Sequence, residues 1–157
     1  MNVKMLVMDV DGTLTDGCIY IGEQGEIMKA FNVRDGYAIT HILPQLGIVP
    51  VIITGRVSAI VERRAKELRI TEIYQGVTDK LEKLKEVEVK HGVSASEIAY
   101  IGDDLNDLDC IQHCEITACP ADAISEVVDE VCYVCHRDGG RGAVREFVEW
   151  IFDEKRG

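Results

Sequence analysis

Residues 6–17, LVMDVDGTLTDG, put two aspartates, Asp9 and Asp11, one residue apart at the end of an apolar run that breaks at Gly12. Residues 4–10 (KMLVMDV) have the length and the Val, Leu and Met content of a buried strand, and the glycine supplies its stop. Positions i and i+2 of a strand share a face. Both carboxylates are therefore expected to project together at or just beyond the strand's end. Like charges held that close repel, and folding gains nothing from them. A bound cation, or a reaction that uses the pair, would account for it.

The pattern begun by that strand continues along the chain. Further strand candidates are residues 48–54, 71–75, 98–102, 115–118 and 131–134, with helical patterns near 36–46, 57–69, 78–91, 104–113, 122–129 and 141–153. Several strands are apolar throughout, as strands covered on both faces must be. Strands separated by helices of this length form βαβ units, which predicts an α/β fold with a doubly wound parallel sheet. Residues 18–33 depart from the alternation and read as a β-hairpin turning at Gly22–Gly25, standing over the end of the sheet that carries the aspartates. Ser94 and Glu97 fit a capping box, and Pro44 is expected to end the first helical pattern early. No repeat, linker or low-complexity tract interrupts the 157 residues, so 1–157 reads as a single domain large enough for a real core.

A net charge of −11 argues against nucleic acid as a partner, and it means that an anionic substrate needs local positive charge or a metal. No apolar stretch is long enough to span a membrane, and the start MNVK has no signal-peptide core behind it. A cytoplasmic protein with no membrane partner is the expectation. Cys132, Cys135 and His136 spell C-x-x-C-H, the pattern of haem attachment, but residues i and i+3 of a strand face opposite sides. Cys110, Cys114 and Cys119 lack the paired spacing of a zinc site. The cysteines read instead as small buried hydrophobes in a reducing compartment.

Ligands of open α/β sheets bind at the carboxyl ends of the strands, and three more of those ends carry chemistry. The segment IITGR places Thr54 and Gly55 at a strand end and Arg56 at the start of a helix. Lys80 falls in the first turn of a helix, where the dipole disfavours a cation. Asp103, Asp104 and Asp107 crowd after the strand at 98–102. Alone, Thr-Gly is a turn and Gly-Asp-Asp is as good a helix cap as a ligand. Together they describe an acidic metal site with phosphate-binding groups around it. Carboxylates with few histidines or accessible thiols suit Mg²⁺, and a hydroxyl and a lysine opposite the metal suit a phosphoryl group.

The segments DVDGT at 9–13, TG at 54–55, Lys80 and GDDLND at 102–107 resemble the four motifs of the haloacid dehalogenase superfamily, mostly Mg²⁺-dependent phosphatases, and the resemblance spans nearly the whole chain. It implies that Asp9 is the nucleophile, attacking phosphorus to form an aspartyl-phosphate, and that Asp11 is the general acid and then the base. Mg²⁺ would sit on Asp9, the backbone carbonyl of Asp11, and Asp103, while Thr54, Gly55 and Lys80 bind the phosphate. For Asp104 and Asp107 the choices are a ligand through water, an orienter of Lys80, or support behind the ligands. The gaps between motifs leave no room for a cap domain. The capless subgroup solves the resulting exposure to water as a homotetramer in which a neighbour covers each site, so the hairpin at 18–33 is expected to be the oligomerisation element.

On finer detail, KAFNVRDGYAI (29–39), ITGR (53–56), the helix with Glu62 and Arg64, YQG (74–76) and GGRGAVRE (139–146) resemble phosphatases of 3-deoxy-D-manno-octulosonate 8-phosphate. Related capless enzymes act on 9-phosphates of nine-carbon sialic-type acids, and there a glutamate can follow the Thr-Gly where this chain has Arg56. Both substrates are phosphorylated α-keto sugar acids, and arginine is a natural partner for their carboxylate. Arg56 and Arg64 are the candidates, Arg64 for its own or a neighbour's site. Arg34 and Asp35 either bind sugar hydroxyls or pair to fix the hairpin's exit. Octulosonate enzymes often continue past GGRGAVRE with a glycine-containing tail. The present sequence stops at 153–157 (DEKRG), so site closure is expected to differ. Two rival classes are a phosphorelay receiver domain and a non-catalytic tetramerisation domain of the kind fused to sugar-nucleotide synthetases. Against the first, the strand before Thr54 carries no aspartate; against the second, every motif residue is present. His41, His91, His113 and His136 match no motif and read as structural or surface.

Overall fold

The apolar run after Lys4 is strand β1, Met5–Met8, and all four of its residues are buried. In the computed structural model, which describes residues 1–156, it is followed by β2 (Tyr20–Gly22), β3 (Gly25–Met28), β4 (Val49–Ile53), β5 (Glu72–Tyr74), β6 (Ile98–Ile101), β7 (Ile116–Cys119) and β8 (Tyr133–Val134). The helices are α1 (Val33–Tyr37), α2 (Leu43–Leu46), α3 (Ala59–Glu67), α4 (Lys80–His91), α5 (Leu108–His113), α6 (Ser125–Val128) and α7 (Ala143–Arg156). Six strands form one parallel sheet in the order β5-β4-β1-β6-β7-β8, and β2 and β3 make the separate antiparallel hairpin. Gly157 lies outside the described residues.

Alternation along β1 divides the core in two. Leu6 and Met8 pack with Val61 and Ala65 of α3 and Phe147 of α7, whereas Met5 and Val7 pack with Leu84 and Val87 of α4 and Ile111 of α5. The sheet is therefore covered on both faces, which is why its strands are apolar on both sides. In register, Met8 stands opposite Ile52 and Ile101. Asp9, Thr54 and Asp103 thus leave the sheet close together. From β1 the chain moves to β4 on one side, and from β6 to β7 on the other, so the crevice between β1 and β6 is the topological switch point.

The expected α/β architecture without a cap is present: from Asp11 to Thr54 there are only the hairpin, a helical segment and β4, and from Thr54 to Lys80 only α3 and β5. The first helical pattern differs from expectation. It starts earlier, at Val33 behind an Asn32 cap, and passes through a π-helical turn, Ala38–Ile42, before α2. Pro44 does not end it; the helix runs to Leu46 and closes on left-handed Gly47. A widened turn just ahead of the proline accommodates both its missing N–H and its ring. α6 is shorter than the 122–129 pattern because Ala121 and Ile124 donate their N–H groups to the carbonyls of Arg137 and Asp103 (2.9 and 3.1 Å), which holds residues 121–124 in a loop. The Ser94–Glu97 capping box is formed.

All six cysteines are free, and Cys110, Cys114, Cys119 and Cys135 are buried as expected; Cys18 and Cys132 are exposed, against expectation. Cys132 and Cys135 bond to different carbonyls, those of Thr117 and Ala143, as opposite-facing residues must. Among the described residues no helix is long and apolar enough to cross a membrane.

Candidate active site

The loop after β1 is held by one carbonyl. The oxygen of Val10 accepts the N–H groups of Thr13, Leu14 and Thr15 at 3.2, 2.9 and 3.1 Å. Gly12 is required here twice over: its φ is +95°, and a Cβ at this point would lie 1.9 Å from the Asp103 carboxylate. Thr13 donates to that same carboxylate at 3.3 Å, so the DGT sequence joins β1 to the strand end that follows β6.

Asp9 sits at the centre. It is 4% exposed, and its Oδ1 accepts from the Lys80 ammonium at 2.7 Å. Lys80 is also buried and reaches Asp107 at 2.8 Å. Asp107 is fully buried and fully used: Lys80 and the Tyr100 hydroxyl (2.7 Å) share one oxygen, and the N–H groups of Asp103 and Asp104 (3.0 and 3.3 Å) share the other. Its contacts tie it to the Lys80 ammonium rather than to open space. Asp104 is exposed and caps the short turn Leu105–Asp107 through the Leu105 N–H, which leaves it outside the cluster. This also explains a lysine at a helix N-terminus: Asp79 caps α4 while two carboxylates hold the Lys80 charge.

Carboxylate oxygens of Asp9, Asp103 and Asp107 lie within 4.8 Å of one another. Three carboxylates against one ammonium leave two negative charges in a buried space. Burial first, then repulsion from Asp107, raises Asp9 to about 6 against the pull of Lys80. Burial and the charge of Asp9 raise Asp103 to about 8. For Lys80 the two carboxylates outweigh burial and raise its pKa, so it stays charged. Two carboxylates destabilised as anions, with an unbalanced double negative charge, fit a divalent cation with oxygen ligands. Asp9 and Asp103 have oxygens to offer it, whereas those of Asp107 are spent.

Asp11 departs from the expected placement. Its carboxylate stands apart from this cluster and pairs with Lys29 of the hairpin at 2.5 Å. The i, i+2 rule fails because β1 ends at Met8, so the chain has already left strand geometry. Lys29 is 1% exposed at its side chain and lies 3.1 Å from Glu26, which in turn accepts from the Ser58 hydroxyl and faces Arg56 at 3.8 Å. Thr54 is buried at the end of β4, beside β1; Gly55 and Arg56 follow it at the exposed rim.

Arg64, Arg34 and Asp35 do not join the cluster. Arg64 stacks on Phe31, pairs with Glu67 at 3.3 Å and packs against Gly36, which places it between α3 and α1, with its buried Nε lacking a hydrogen-bond partner. Asp35 is 2% exposed and accepts the Arg145 N–H at 2.8 Å, tying α1 to the start of α7; burial raises its pKa to about 6. It does not pair with Arg34: one oxygen accepts from the start of α7, and the other is buried without a hydrogen-bond partner. Arg34 lines a different cavity. The residues that sequence reasoning missed are Thr13, Tyr100, Lys29, Glu26 and Ser58. A lone hydroxyl in the apolar strand IAYI was a signal for Tyr100, while nothing local marks Lys29. The four histidines serve structure: His113 and His136 bond to Glu88 and Glu146 at 2.8 and 2.7 Å, His91 lies 3.4 Å from Glu72, and His41 stacks on Tyr37.

Comparison with known proteins agrees with this geometry. Residues 52–147 match the family model described as haloacid dehalogenase-like hydrolase. The 3-deoxy-D-manno-octulosonate 8-phosphate phosphatase of Salmonella typhi is 42% identical over 150 residues, which is 96% of this chain and 79% of that protein. The crystal structure of the Yersinia pestis phosphatase of the same name superposes with a TM-score of 0.95 at 42% identity, covering 99% of this chain and 83% of that one. That of the Moraxella catarrhalis phosphatase, in complex with magnesium, phosphate and KDO, gives a TM-score of 0.93 at 43% identity, covering 97% and 87%. The receiver-domain reading falls with these matches. With its Asp-x-Asp loop, its buried lysine and its acidic strand end all brought to one crevice of the sheet, the chain belongs to the haloacid dehalogenase-like hydrolase family.

Proposed function

We propose that this protein is a Mg²⁺-dependent phosphatase that hydrolyses the phosphate monoester of a keto-deoxy sugar acid, 3-deoxy-D-manno-octulosonate 8-phosphate. The observation that carries the reading is Asp9 held at 2.7 Å by a buried lysine inside a three-carboxylate cluster, in a chain 42% identical to such phosphatases. Asp9 attacks phosphorus and forms the aspartyl-phosphate; Lys80 and Thr54, with the Gly55 backbone, hold the phosphoryl oxygens. Asp11 gives its proton to the leaving sugar oxygen and later takes one from the attacking water. Asp9, Asp103 and the Asp11 carbonyl would hold Mg²⁺, which offsets the negative charge of cluster and phosphate. Asp107 keeps Lys80 aimed.

Arg56 is the candidate for the substrate carboxylate: it sits at the rim, about half exposed at its side chain, with one ion pair of 3.8 Å to Glu26. The test is phosphate release with Mg²⁺ from the octulosonate 8-phosphate and from a nine-carbon acid 9-phosphate at equal concentration. Preference for the first is expected, with Arg56→Ala raising KM; preference for the second would move the assignment to the sialic-type branch. The protein is further read as a cytoplasmic homotetramer joined through the hairpin. Ile21 and Ile27 there are 62% and 64% exposed, a large apolar exposure for so short an element. Light scattering on an Ile27→Asp variant tests this, since an unchanged mass would remove the hairpin from the interface.

A further inference from the structure

Around the start of α7 lies a cavity of about 600 Å³ lined by four arginines, Arg34, Arg137, Arg141 and Arg145. Its size falls in the range of small-molecule sites. Such a concentration of guanidinium groups is unexpected in a chain of net charge −11. The two acidic residues of the lining are already engaged. Glu146 accepts from Tyr133, from the backbone and ring of His136 and from the Arg137 N–H, and Glu149 accepts from Arg145 at 2.6 Å. Arg145 is positioned further by stacking over Tyr37. Among the described residues, the side chains of Arg34, Arg137 and Arg141 make no hydrogen bond or ion pair. Three guanidinium groups without a hydrogen bond thus converge on one hollow, where Glu146, Glu149 and, for Arg141, the charge of Asp16 offset their mutual repulsion only in part.

We propose that this cavity is a second binding site, for a small hydrophilic molecule carrying at least two anionic groups, phosphates above all. A guanidinium binds phosphate or carboxylate through two parallel N–H bonds, and separate arginines around one hollow suit a ligand with more than one such group. Every side chain of the lining is charged or polar, so charge and hydrogen bonding dominate the choice of ligand. The site shares no residue with the acidic cluster, but it is joined to the loop after β1. Gly140 donates to the Thr13 carbonyl at 3.0 Å, and Gly139 lies against the backbone of Gly12. An occupant would therefore stiffen the segment that carries Asp11.

Inorganic pyrophosphate is the probe, titrated by calorimetry and by amide chemical shifts in metal-free buffer at about 150 mM salt, where diffuse surface attraction is screened beyond about 8 Å. The expected result is saturable binding of one pyrophosphate per chain, tighter than orthophosphate, with shifts at Gly142, Arg145 and Arg34. The Arg137→Ala/Arg141→Ala double variant should weaken it at least about 10-fold, as the loss of a charge-assisted hydrogen bond implies. Replacement by lysine at both positions should fall between, since the charge stays and the fork is lost. No saturation up to about 10 mM, a regime weaker than about −3 kcal/mol of binding, would overturn the proposal. So would unchanged affinity in the folded double variant, or shifts centred on Lys80 and Asp103.

Discussion

Two groups of charges stand side by side at the carboxyl end of the sheet, and they are built differently. Asp9, Lys80 and Asp107, with Asp103 beside them, are supplied by β1, α4 and the turn after β6, and every oxygen of Asp107 has a partner. Asp11, Lys29 and Glu26 instead rely on β3 and the segment after it, and the hairpin strands are largely exposed. The first group is fixed by the core that surrounds it. The second depends on a two-stranded ribbon, which is marginal by itself. By this contrast the Asp9 end of the site is set by the fold of one chain, while the Asp11 end is set by how the hairpin is held.

Four measurements would break or sharpen that contrast. Asp9→Asn is expected to lower kcat by about 10⁴-fold or more, as loss of a covalent nucleophile does, with circular dichroism unchanged; residual turnover near wild type would exclude Asp9 as nucleophile. Asp107→Ala leaves Lys80 half-paired in the core and should cost about 3 kcal/mol in urea unfolding, together with most of the activity. A loss of activity without a loss of stability would mean that Asp107 acts on substrate rather than on Lys80.

Lys29→Met should cost less stability than Asp107→Ala, because Asp11 and Glu26 keep some access to water, yet reduce kcat about 10- to 100-fold, part of what a positioned acid–base group supplies. A large drop in stability instead would place the hairpin group in the rigid class. The smallest effect concerns pH. Folding raises Asp103 to about 8 and Asp9 to about 6, so between about pH 4 and pH 8 the folded, metal-free protein binds protons that the unfolded chain does not. Its stability should therefore fall as pH rises through that window. Mg²⁺ competes for the same oxygens, and the melting-temperature gain it gives should be larger at pH 8 than at pH 6. An equal or reversed gain would mean that the ion binds elsewhere.

The fold was legible because its determinants are local. Apolar runs such as MLVM and IAYI announce strands buried on both faces, and the spacing of helical patterns between them announces a parallel sheet with helices on each side. The order of motifs at successive strand ends was enough to bring Asp9, Thr54, Lys80 and Asp103 to one crevice, because parallel strands all point their carboxyl ends the same way. Pro44 was misjudged because the π-helical turn that accommodates it is a response to packing and leaves no mark in the sequence.

By itself, then, the sequence determined the class of fold, the acidic character of the site and the chemistry for which it is suited. Only the tertiary structure decided who partners whom. Lys80 meets Asp9 across 71 positions, Thr13 meets Asp103 across 90, and Asp35 caps α7 across 110. It separated Asp11 from Asp9 by ending β1 two residues early, joined Asp35 to the start of α7, and gathered Arg34 with three arginines from the far end of the chain. The physical reason is range. Propensity and periodicity act over a few residues, whereas ion pairs and caps depend on strand order and on which buried polar groups still need a partner.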